Sequence, residues 1–252
     1  MHALQKNKTM KQFKLMVLFA IFCIQFIAFA QEPADYVNPF IGTSNYGATF
    51  PGPIAPRGMA SISPFNVAGA LNKLEKDSQW LSNPYVHENT FLTGFSQVNL
   101  SGVGCPDLGV LLLMPTTGEL ETNHLKYGST YKNEVAKAGY YSTHIDKYDI
   151  KAEFTASKHV GVSKFTFPNG QANVLLNLGL GLTNEQGAMV QVVSSTEIQG
   201  MRSVGTFCYN SPEAAYPVYF VAKFSKPADR FGVWKKPAKY EGTEAQWMAY
   251  NG

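Results

Sequence analysis

The sequence predicts an all-β fold, an antiparallel β-sandwich with a loop-rich amino-terminal part and a short helix at most. The 252 residues include 22 glycines and 14 prolines, which favour turns over long helices. From about Ala136 onward, strand-like segments recur every ~8–12 residues with turn residues between them, a spacing typical of a β-sandwich or barrel. With 45% hydrophobic and 15% charged residues, the chain has the composition of an ordinary globular domain.

The first 30 residues have the organisation of a secretory signal peptide. Basic residues precede an apolar run at residues 15–29, and Ala28 and Ala30 provide the small residues of a cleavage site. The run is shorter than the ~20 residues that a membrane-spanning helix needs. We therefore predict cleavage after Ala30, no membrane span in the mature chain 31–252, and a periplasmic or extracellular location, with association with the outer membrane left open.

The net charge argues against a nucleic-acid partner. The chain carries 21 basic and 18 acidic residues, but Lys6, Lys8, Lys11 and Lys14 belong to the leader. The mature chain then has 17 basic and 18 acidic residues, a net charge of −1. Such a chain lacks the basic excess that binding to a phosphate backbone requires.

The second half of the chain alternates between strand-like segments and turns. Residues 139–146 and 149–156 flank a short polar break and predict a hairpin. A strand at residues 158–167 ends at the Pro-Asn-Gly sequence of residues 168–170, which favours a turn. Further strands are predicted at residues 171–178, 189–195, 197–205, 218–225 and 246–250.

The first half of the mature chain is richer in loops. Residues 35–56 are rich in proline and glycine, and such a segment is ordered by packing onto other elements or carries a site. Strands are predicted at residues 91–98 and 108–114, and only residues 71–77 favour a short helix. The terminal Asn-Gly at residues 251–252 favours a hairpin turn, so we expect a returning strand to follow and this domain to be incomplete at its carboxyl end.

Export to an oxidising compartment permits a disulfide between the two cysteines of the mature chain, Cys105 and Cys208. Closing so long a loop stabilises a fold by at most about 4–5 kcal/mol in the chain-entropy model. Two separately buried thiols are the alternative, which the sequence leaves open. The spacing of cysteines and histidines does not match a zinc site, and we predict no metal ligand in this chain.

Several segments resemble, in the same order, the amino-terminal domain of family 92 glycoside hydrolases. They are VNPFIGT at 37–43, FPGPIAPRGM at 50–59, GFSQVNLSGVGCPDLG at 94–109 and VYFVAKFSKP at 218–227. The resemblance extends over residues 36–252 and implies a supersandwich-like β-sandwich domain. Members of this family are exported exo-α-mannosidases of the Bacteroidetes type.

The resemblance implies that this chain is one part of a two-domain enzyme, truncated before the catalytic domain. In the family, a carboxy-terminal helical barrel supplies the catalytic carboxylates and most ligands of a calcium ion. Hydrolysis inverts the anomeric centre, which needs an acid and a base roughly 6.5–9.5 Å apart. We therefore assign no catalytic residue here and expect no activity from this chain alone. The implied substrate is a mannose-containing glycan with terminal α-mannosyl linkages, α-1,2 in type.

The resemblance also implies that the sandwich supplies one wall of the substrate pocket, and the loop at residues 94–107 is the best candidate for this wall. Gln97, Asn99 and Asp107 offer amide and carboxylate groups that suit sugar hydroxyls. Small residues within the loop let backbone amides approach a ligand. Many family members carry histidines at the positions of Gln97 and Asn99, so the linkage preference does not transfer directly. A role in a turn is the alternative for Asp107.

Three residues outside this loop complete the predicted substrate-binding set. Trp80 and Tyr85 lie where the family often places aromatic residues that stack on sugars, with core or interdomain packing as the alternative for Trp80. Arg57 is a candidate for binding a hydroxyl or a carboxylate, with a surface or interface ion pair as the alternative.

Two other functions compete with the enzyme-fragment hypothesis. A stand-alone carbohydrate-binding β-sandwich module would bind mannosides and lose that binding on the substitution Trp80→Ala. A non-functional remnant would express insolubly, because the apolar patch that the helical domain covers in the family would be exposed.

Overall fold

The computed structural model describes residues 13–17, 32–69, 71–183, 187–205, 212–235, 238–241 and 244–248. The chain divides into two compact units, Met1–Tyr36 and Val37–Gly252. In the first unit, residues 13–17 are helical and Pro33–Tyr36 form a 3-10 turn. Across the described ranges, no helix is long and apolar enough to cross a membrane. Most of the predicted leader lies outside the described residues, so its cleavage stays a prediction.

The second unit consists mainly of short β-strands, which confirms the predicted all-β class. In chain order, its described strands are β1 (Ser63–Pro64), β2 (Phe91–Leu92), β3 (Phe95–Ser96), β4 (Val98–Asn99), β5 (Leu108–Val110), β6 (Leu112–Thr117), β7 (Ser129–Lys137), β8 (Tyr140–Ile145), β9 (Ile150–Ala156), β10 (Gly161–Thr166), β11 (Ala172–Asn177), β12 (Gly187–Ser194), β13 (Glu197–Val204), β14 (Tyr216–Lys223), β15 (Gly232–Lys235), β16 (Ala238–Glu241) and β17 (Glu244–Met248). The helical elements described in this unit are a four-residue helix at His124–Tyr127 and 3-10 turns at Asp146–Tyr148 and Pro212–Ala214.

The strands form three main antiparallel sheets. The five-stranded sheet has the order β10-β9-β8-β7-β2, and the two four-stranded sheets have the orders β1-β3-β6-β11 and β14-β13-β12-β17. Two smaller pairs are β4-β5 and β15-β16. The predicted hairpin at residues 139–156 is confirmed, because β8 pairs with β9 and Tyr141 lies opposite Phe154.

The largest buried cluster lies between the five-stranded sheet and the sheet that contains β3 and β6. Phe95 of β3 packs on Phe154 of β9, with ring centroids 4.4 Å apart. Met114 of β6 and Tyr141 of β8 belong to the same buried cluster. Because its members come from both sheets, this cluster joins the sheets face to face as in a sandwich.

A second buried cluster attaches the sheet of β12, β13 and β14. Val204 of β13 packs with Val110 of β5, and Phe220 of β14 packs against them. Burial alternates along β14, since the two neighbours of Phe220, Tyr219 and Val221, are exposed. This alternation is typical of a strand with one face on the core and the other in water.

The short helix predicted at residues 71–77 is wrong, because this segment forms turns and bends. The side chain of Asn89 provides the reason. The Leu74 amide donates to Asn89 Oδ1 over 3.0 Å, and Asn89 Nδ2 donates to the Leu74 carbonyl over 2.7 Å. These bonds occupy the backbone groups that a helix would need.

The strand predicted at residues 246–250 corresponds to β17, whose described part ends at Met248. The predicted turn at residues 251–252 lies outside the described residues.

Candidate functional site

An exposed tryptophan is fixed in place at the edge of the predicted pocket loop. The side chain of Trp80 is 58% exposed. Its indole Nε1 donates to the carbonyl of Gly104 over 3.1 Å. This hydrogen bond restrains the ring, so that the side chain stays at the surface instead of collapsing onto the core. An aromatic ring held in this way offers an apolar face to a ligand while its polar edge remains satisfied.

The glycine-rich part of the loop is tied to two other segments. The Gly102 amide donates to the Ala48 carbonyl over 2.7 Å, and Ser82 Oγ donates to the Gly102 carbonyl over 3.3 Å. Gly102 has a φ of +107°, a backbone conformation that favours glycine. The Gly102 amide, one of the backbone groups expected to face a ligand, is therefore engaged within the chain.

Gly104 differs from Gly102 in two respects. Its φ lies outside the left-handed range, and a Cβ atom placed on it would meet nothing within 4 Å. The fold itself therefore does not require a glycine at this position. The absence of a side chain keeps the surface beside Trp80 open.

A third segment completes this surface. Asn83 Nδ2 donates to the Gly47 carbonyl over 2.6 Å, and the Tyr46 hydroxyl donates to Gln79 Oε1 over 3.0 Å. Tyr46 is 64% exposed and Val103 is 92% exposed. We define the Trp80 surface by the following residues from the three segments: Tyr46, Trp80, Ser82, Gly102, Val103 and Gly104.

Asn99 and Gln97, two of the predicted substrate-binding residues, make contacts within the chain. Asn99 is 7% exposed, and its Nδ2 donates to the Ser61 carbonyl over 2.8 Å. Its Oδ1 accepts from Ser96 Oγ over 2.6 Å. Gln97 is half-buried, and its Nε2 donates to the Phe95 carbonyl over 2.9 Å. In this structure both residues stabilise the base of the loop, and their sugar-binding role stays a prediction.

Asp107 closes the loop on its other side. Its Oδ1 accepts from the Leu108 amide over 2.8 Å, and Leu108 has a φ of 59°. Asp107 also hydrogen-bonds the hydroxyl of Tyr216 on β14, where burial and the charge of Asp107 raise the pKa of Tyr216. These contacts agree with the turn role that the sequence left open for Asp107.

Cys105 is disulfide-bonded. Its predicted partner, Cys208, lies outside the described residues, so this pairing stays a prediction. A disulfide in the loop restrains the segment that carries Val103 and Gly104.

Arg57 is exposed and has a φ of 56°. The turn that contains Arg57 is bonded to a different segment of the chain. The amides of Met59 and Ala60, just after this turn, donate to the Lys158 carbonyl. The structure thus does not bring Arg57 into the three segments of the Trp80 surface.

Tyr85, the second predicted stacking residue, is fully buried. Its hydroxyl donates to the carboxylate of Glu134, at 3.0 Å from Oε1 and 3.1 Å from Oε2. The Tyr141 hydroxyl donates to the same Oε1 over 2.6 Å. Tyr85 therefore contributes to a buried polar cluster, and its predicted role in sugar stacking gains no support from its burial.

Glu134 reaches this cluster because β7 contains a β-bulge. Lys132 lies opposite His144 and Val135 lies opposite Ser142, so β7 has one residue more than β8 in this interval. Asn133, within the bulge, has a φ of 55°. The extra residue shifts the alternation, and the side chain of Glu134 turns inward. The sequence did not predict β7, because the bulge interrupts the period-two pattern.

Burial raises the pKa of Glu134, although hydrogen bonds from Tyr141 and Tyr85 oppose this effect. Burial and the nearby Glu134 charge also raise the pKa values of Tyr85 and Tyr141. Both phenols therefore remain protonated donors at neutral pH.

The described ranges contain no group of three or more His, Cys, Asp or Glu side chains that could hold a metal ion. By themselves, the residues that the structure describes therefore do not form a calcium site.

In this all-β domain, an exposed indole held by the Gly104 carbonyl beside a glycine loop offers an apolar face to a ligand. Residues 36–250 match the Glycosyl hydrolase family 92 N-terminal domain. The chain belongs to this family, which confirms the resemblance drawn from its sequence segments.

Known structures agree with this assignment. The family GH92 alpha-mannosidase BT3965 from Bacteroides thetaiotaomicron is 28% identical, with a TM-score of 0.71 over 86% of this chain and 30% of that chain. The family GH92 inverting mannosidase BT2199 from the same species is 20% identical, with a TM-score of 0.66 over 86% of this chain and 29% of that chain, and shows a shared fold.

A curated relative gives the same result at the sequence level. An uncharacterized secreted glycosidase of Arthroderma benhamiae is 27% identical over 207 residues, which is 75% of this chain and 25% of that protein. The chain therefore spans less than a third of the length of these relatives.

Proposed function

We propose that this chain is the substrate-contacting amino-terminal domain of an exported α-mannosidase, and that the Trp80 surface forms one wall of its pocket for a terminal α-mannosyl residue. The observation that carries the proposal is the exposed indole of Trp80, which is held by the Gly104 carbonyl beside an open glycine position. Membership of family 92 and the likeness to an alpha-mannosidase at 28% identity support it.

The chemistry of this surface suits a sugar. The indole provides an apolar face for the C–H groups of a pyranose ring, and the neighbouring Ser82 and Tyr46 hydroxyls provide polar groups. The hydrogen bonds among the three segments hold these groups before a ligand arrives. Such preorganisation lowers the entropy cost of binding.

In this proposal the reacting groups come from elsewhere in the enzyme. Inverting hydrolysis uses a general acid and a general base roughly 6.5–9.5 Å apart with a water between them. We propose that a carboxy-terminal domain supplies both carboxylates and the calcium ion, that the enzyme cleaves α-1,2-type linkages, and that this domain completes the pocket.

Carbohydrate binding by this chain alone is a second candidate function. The hydrogen bonds that hold Trp80 and Gly102 lie within the chain, so the surface does not need another domain for its assembly.

Calorimetric titration of the full chain with methyl α-mannoside and α-1,2-mannobiose tests the binding surface. If the wild-type chain binds, Trp80→Ala is expected to weaken binding roughly tenfold or more, as loss of a central aromatic contact does. Tyr219→Ala on β14 is the matched control, because Tyr219 is also an exposed aromatic residue but does not belong to the three segments of the Trp80 surface. Equal binding by wild type and Trp80→Ala would contradict the proposed surface.

The enzyme proposal is tested separately by assaying mannose release and by sequencing the gene beyond codon 252. A frame that continues for several hundred codons would provide the enzyme, in which Trp80→Ala is expected to raise KM for a mannoside. Mannose release by the present chain alone would contradict the assignment of the catalytic groups to another domain.

A further inference from the structure

The segment that carries Trp80 is closed at its base by the side chains of two buried asparagines. Residues 74–86, which the structure describes in full, form turns and bends without a helix or strand. We call these residues the Trp80 loop, because Trp80 lies midway between its two ends, Leu74 and Val86. The backbone polar groups at the buried ends of such a loop need partners that no helix or sheet supplies.

Each asparagine pairs with one end of the Trp80 loop. Asn89 Oδ1 accepts from the Leu74 amide over 3.0 Å, and Asn89 Nδ2 donates to the Leu74 carbonyl over 2.7 Å. Asn66 Oδ1 accepts from the Val86 amide over 2.8 Å, and Asn66 Nδ2 donates to the Val86 carbonyl over 2.8 Å. Each side chain thus binds both polar groups of one loop residue, as a residue of a neighbouring strand would.

The two asparagines, which we name the asparagine clasp, are also joined to each other and to a sheet. Asn89 Nδ2 donates to the Asn66 carbonyl over 2.8 Å. The hydroxyl of Tyr131 on β7 donates to the Asn89 carbonyl over 2.8 Å and accepts from Asn66 Nδ2 over 2.6 Å. Asn66 is 0% exposed and Asn89 is 2% exposed. The base of the Trp80 loop is therefore connected to the five-stranded sheet.

The apolar residues of the Trp80 loop determine which side chain faces water. Leu74, Leu81 and Val86 belong to one buried cluster, and Leu81 is 2% exposed. The neighbouring side chain, that of Trp80, is 58% exposed. Because the clasp fixes Leu74 and Val86, it favours the loop conformation in which Leu81 is buried and Trp80 lies at the surface.

We propose that Asn66 and Asn89 are positioning residues for sugar binding, which close the base of the Trp80 loop and hold the indole beside Gly104 before a ligand arrives. The indole reaches another segment of the chain, since its Nε1 donates to the Gly104 carbonyl over 3.1 Å. A displacement at the base of the loop would break this bond. The inference rests on the function proposed for the Trp80 surface, but the position of the indole can be tested without a sugar.

Nuclear magnetic resonance of the full chain tests the position of the indole. The exchange of the Trp80 Nε1 proton with solvent is measured in the wild type and in Asn89→Ala, and Trp80→Phe assigns the resonance. Asn89→Ala is expected to accelerate this exchange at least about tenfold, because the indole loses its fixed position beside the Gly104 carbonyl.

Asn177→Ala is the matched control, because Asn177 is also buried and binds a different segment. Its Nδ2 donates to the Tyr127 hydroxyl over 2.8 Å, and its Oδ1 accepts from the Gly179 and Leu180 amides over 2.9 Å each. Urea unfolding gives the stability of both variants, so that indole exchange can be compared at equal stability. An acceleration in Asn89→Ala no greater than in Asn177→Ala would overturn the proposal.

Sugar binding is measured separately by titration with α-1,2-mannobiose. If the wild type binds, Asn89→Ala is expected to raise Kd at least about fivefold, whereas Asn177→Ala should leave it within about twofold. Equal Kd values for the wild type and Asn89→Ala would overturn the role of the clasp in sugar binding. A wild type that binds no mannoside would contradict the proposed function instead, and the indole exchange would still decide whether the clasp positions Trp80.

A measurement on the wild type alone keeps the proposal falsifiable if Asn89→Ala fails to fold. The Leu74 and Val86 amides donate to the two different asparagines of the clasp. If the clasp opens as one unit, the hydrogen-exchange protection of these amides is expected to agree within about tenfold. A larger difference would show that the two ends of the loop open independently and would overturn the clasp.

Discussion

The hydroxyl of Tyr141 lies 2.6 Å from Oε1 of Glu134, on the strand that pairs with the bulged part of β7. The bond spans the place where the two strands lose their regular register. A bulge normally leaves a residue without a backbone pairing partner on the neighbouring strand. Here Glu134 lies in the bulge, and its side chain is hydrogen-bonded by Tyr141 of the neighbouring strand β8.

Removal of this hydroxyl is expected to destabilise the fold. Tyr141→Phe leaves a carboxylate oxygen with one donor fewer, which costs about 1–3 kcal/mol for an enclosed acceptor. Urea unfolding at neutral pH measures the loss. Tyr140→Phe is the control, because the Tyr140 hydroxyl donates to Glu153 at the surface and its loss should cost less than about 1 kcal/mol. Equal losses in both variants would contradict the special role of Tyr141.

The raised pKa of Glu134 predicts a definite dependence of stability on pH. A carboxyl whose folded-state pKa exceeds its unfolded value, here 4.5, stabilises the fold most while it is neutral. Its contribution falls as the pH rises from 4.5 through the folded-state pKa. Thermal unfolding from pH 4 upward should therefore show that Glu134→Gln gains stability relative to wild type with rising pH. A constant difference between the two would contradict the raised pKa.

Glu153 is expected to act in the opposite direction. The hydrogen bond from Lys151, followed by that from Tyr140, lowers the pKa of Glu153 to about 2. Its stabilisation is present above the unfolded value of 4.5 and is lost as the pH falls toward 2. Glu153→Gln should reduce the loss of stability in acid, by a small amount because the pair is at the surface. Acid titration followed by circular dichroism measures it, and an unchanged acid midpoint would contradict the prediction.

The two glycines of the pocket loop should respond differently to alanine. Gly102→Ala places a Cβ at a φ of +107° and is expected to destabilise the fold by at least about 1 kcal/mol. Gly104→Ala meets no neighbour and should change the free energy of unfolding by less than about 0.5 kcal/mol. If Gly104→Ala weakens mannoside binding without loss of stability, a ligand approaches this position closely. Similar destabilisation in both variants would contradict the distinction.

The sequence predicted those parts of the fold in which local pattern and tertiary structure agree. The hairpin of β8 and β9 follows from alternation on both sides of a short polar break, and the pairing of Tyr141 with Phe154 preserves that alternation. The strand β7 was not predicted, because one inserted residue turns Glu134 inward. A regular alternation of buried and exposed residues would place a polar residue such as glutamate on the outer face. A bulge of this kind depends on the partner strand, which local sequence does not contain.

The candidate site was predictable in location but not in detail. Trp80 and Tyr85 are both aromatic residues just before the loop, and only tertiary contacts decide that one is exposed while the other is buried. Asn99 has the side chain of a sugar ligand but meets Ser61, which is far away in the chain. The resemblance to the family indicated which loop to consider. The contacts of each residue in and near it depend on tertiary structure and could not be predicted from the sequence.

The Trp80 surface draws on three stretches of chain that lie far apart in sequence, around residues 46, 80 and 103. No short peptide can reproduce it. An antibody raised against this surface would therefore recognise a conformational epitope and ignore the denatured chain. Such a reagent would report, in an export or refolding experiment, the moment at which the three stretches first come together.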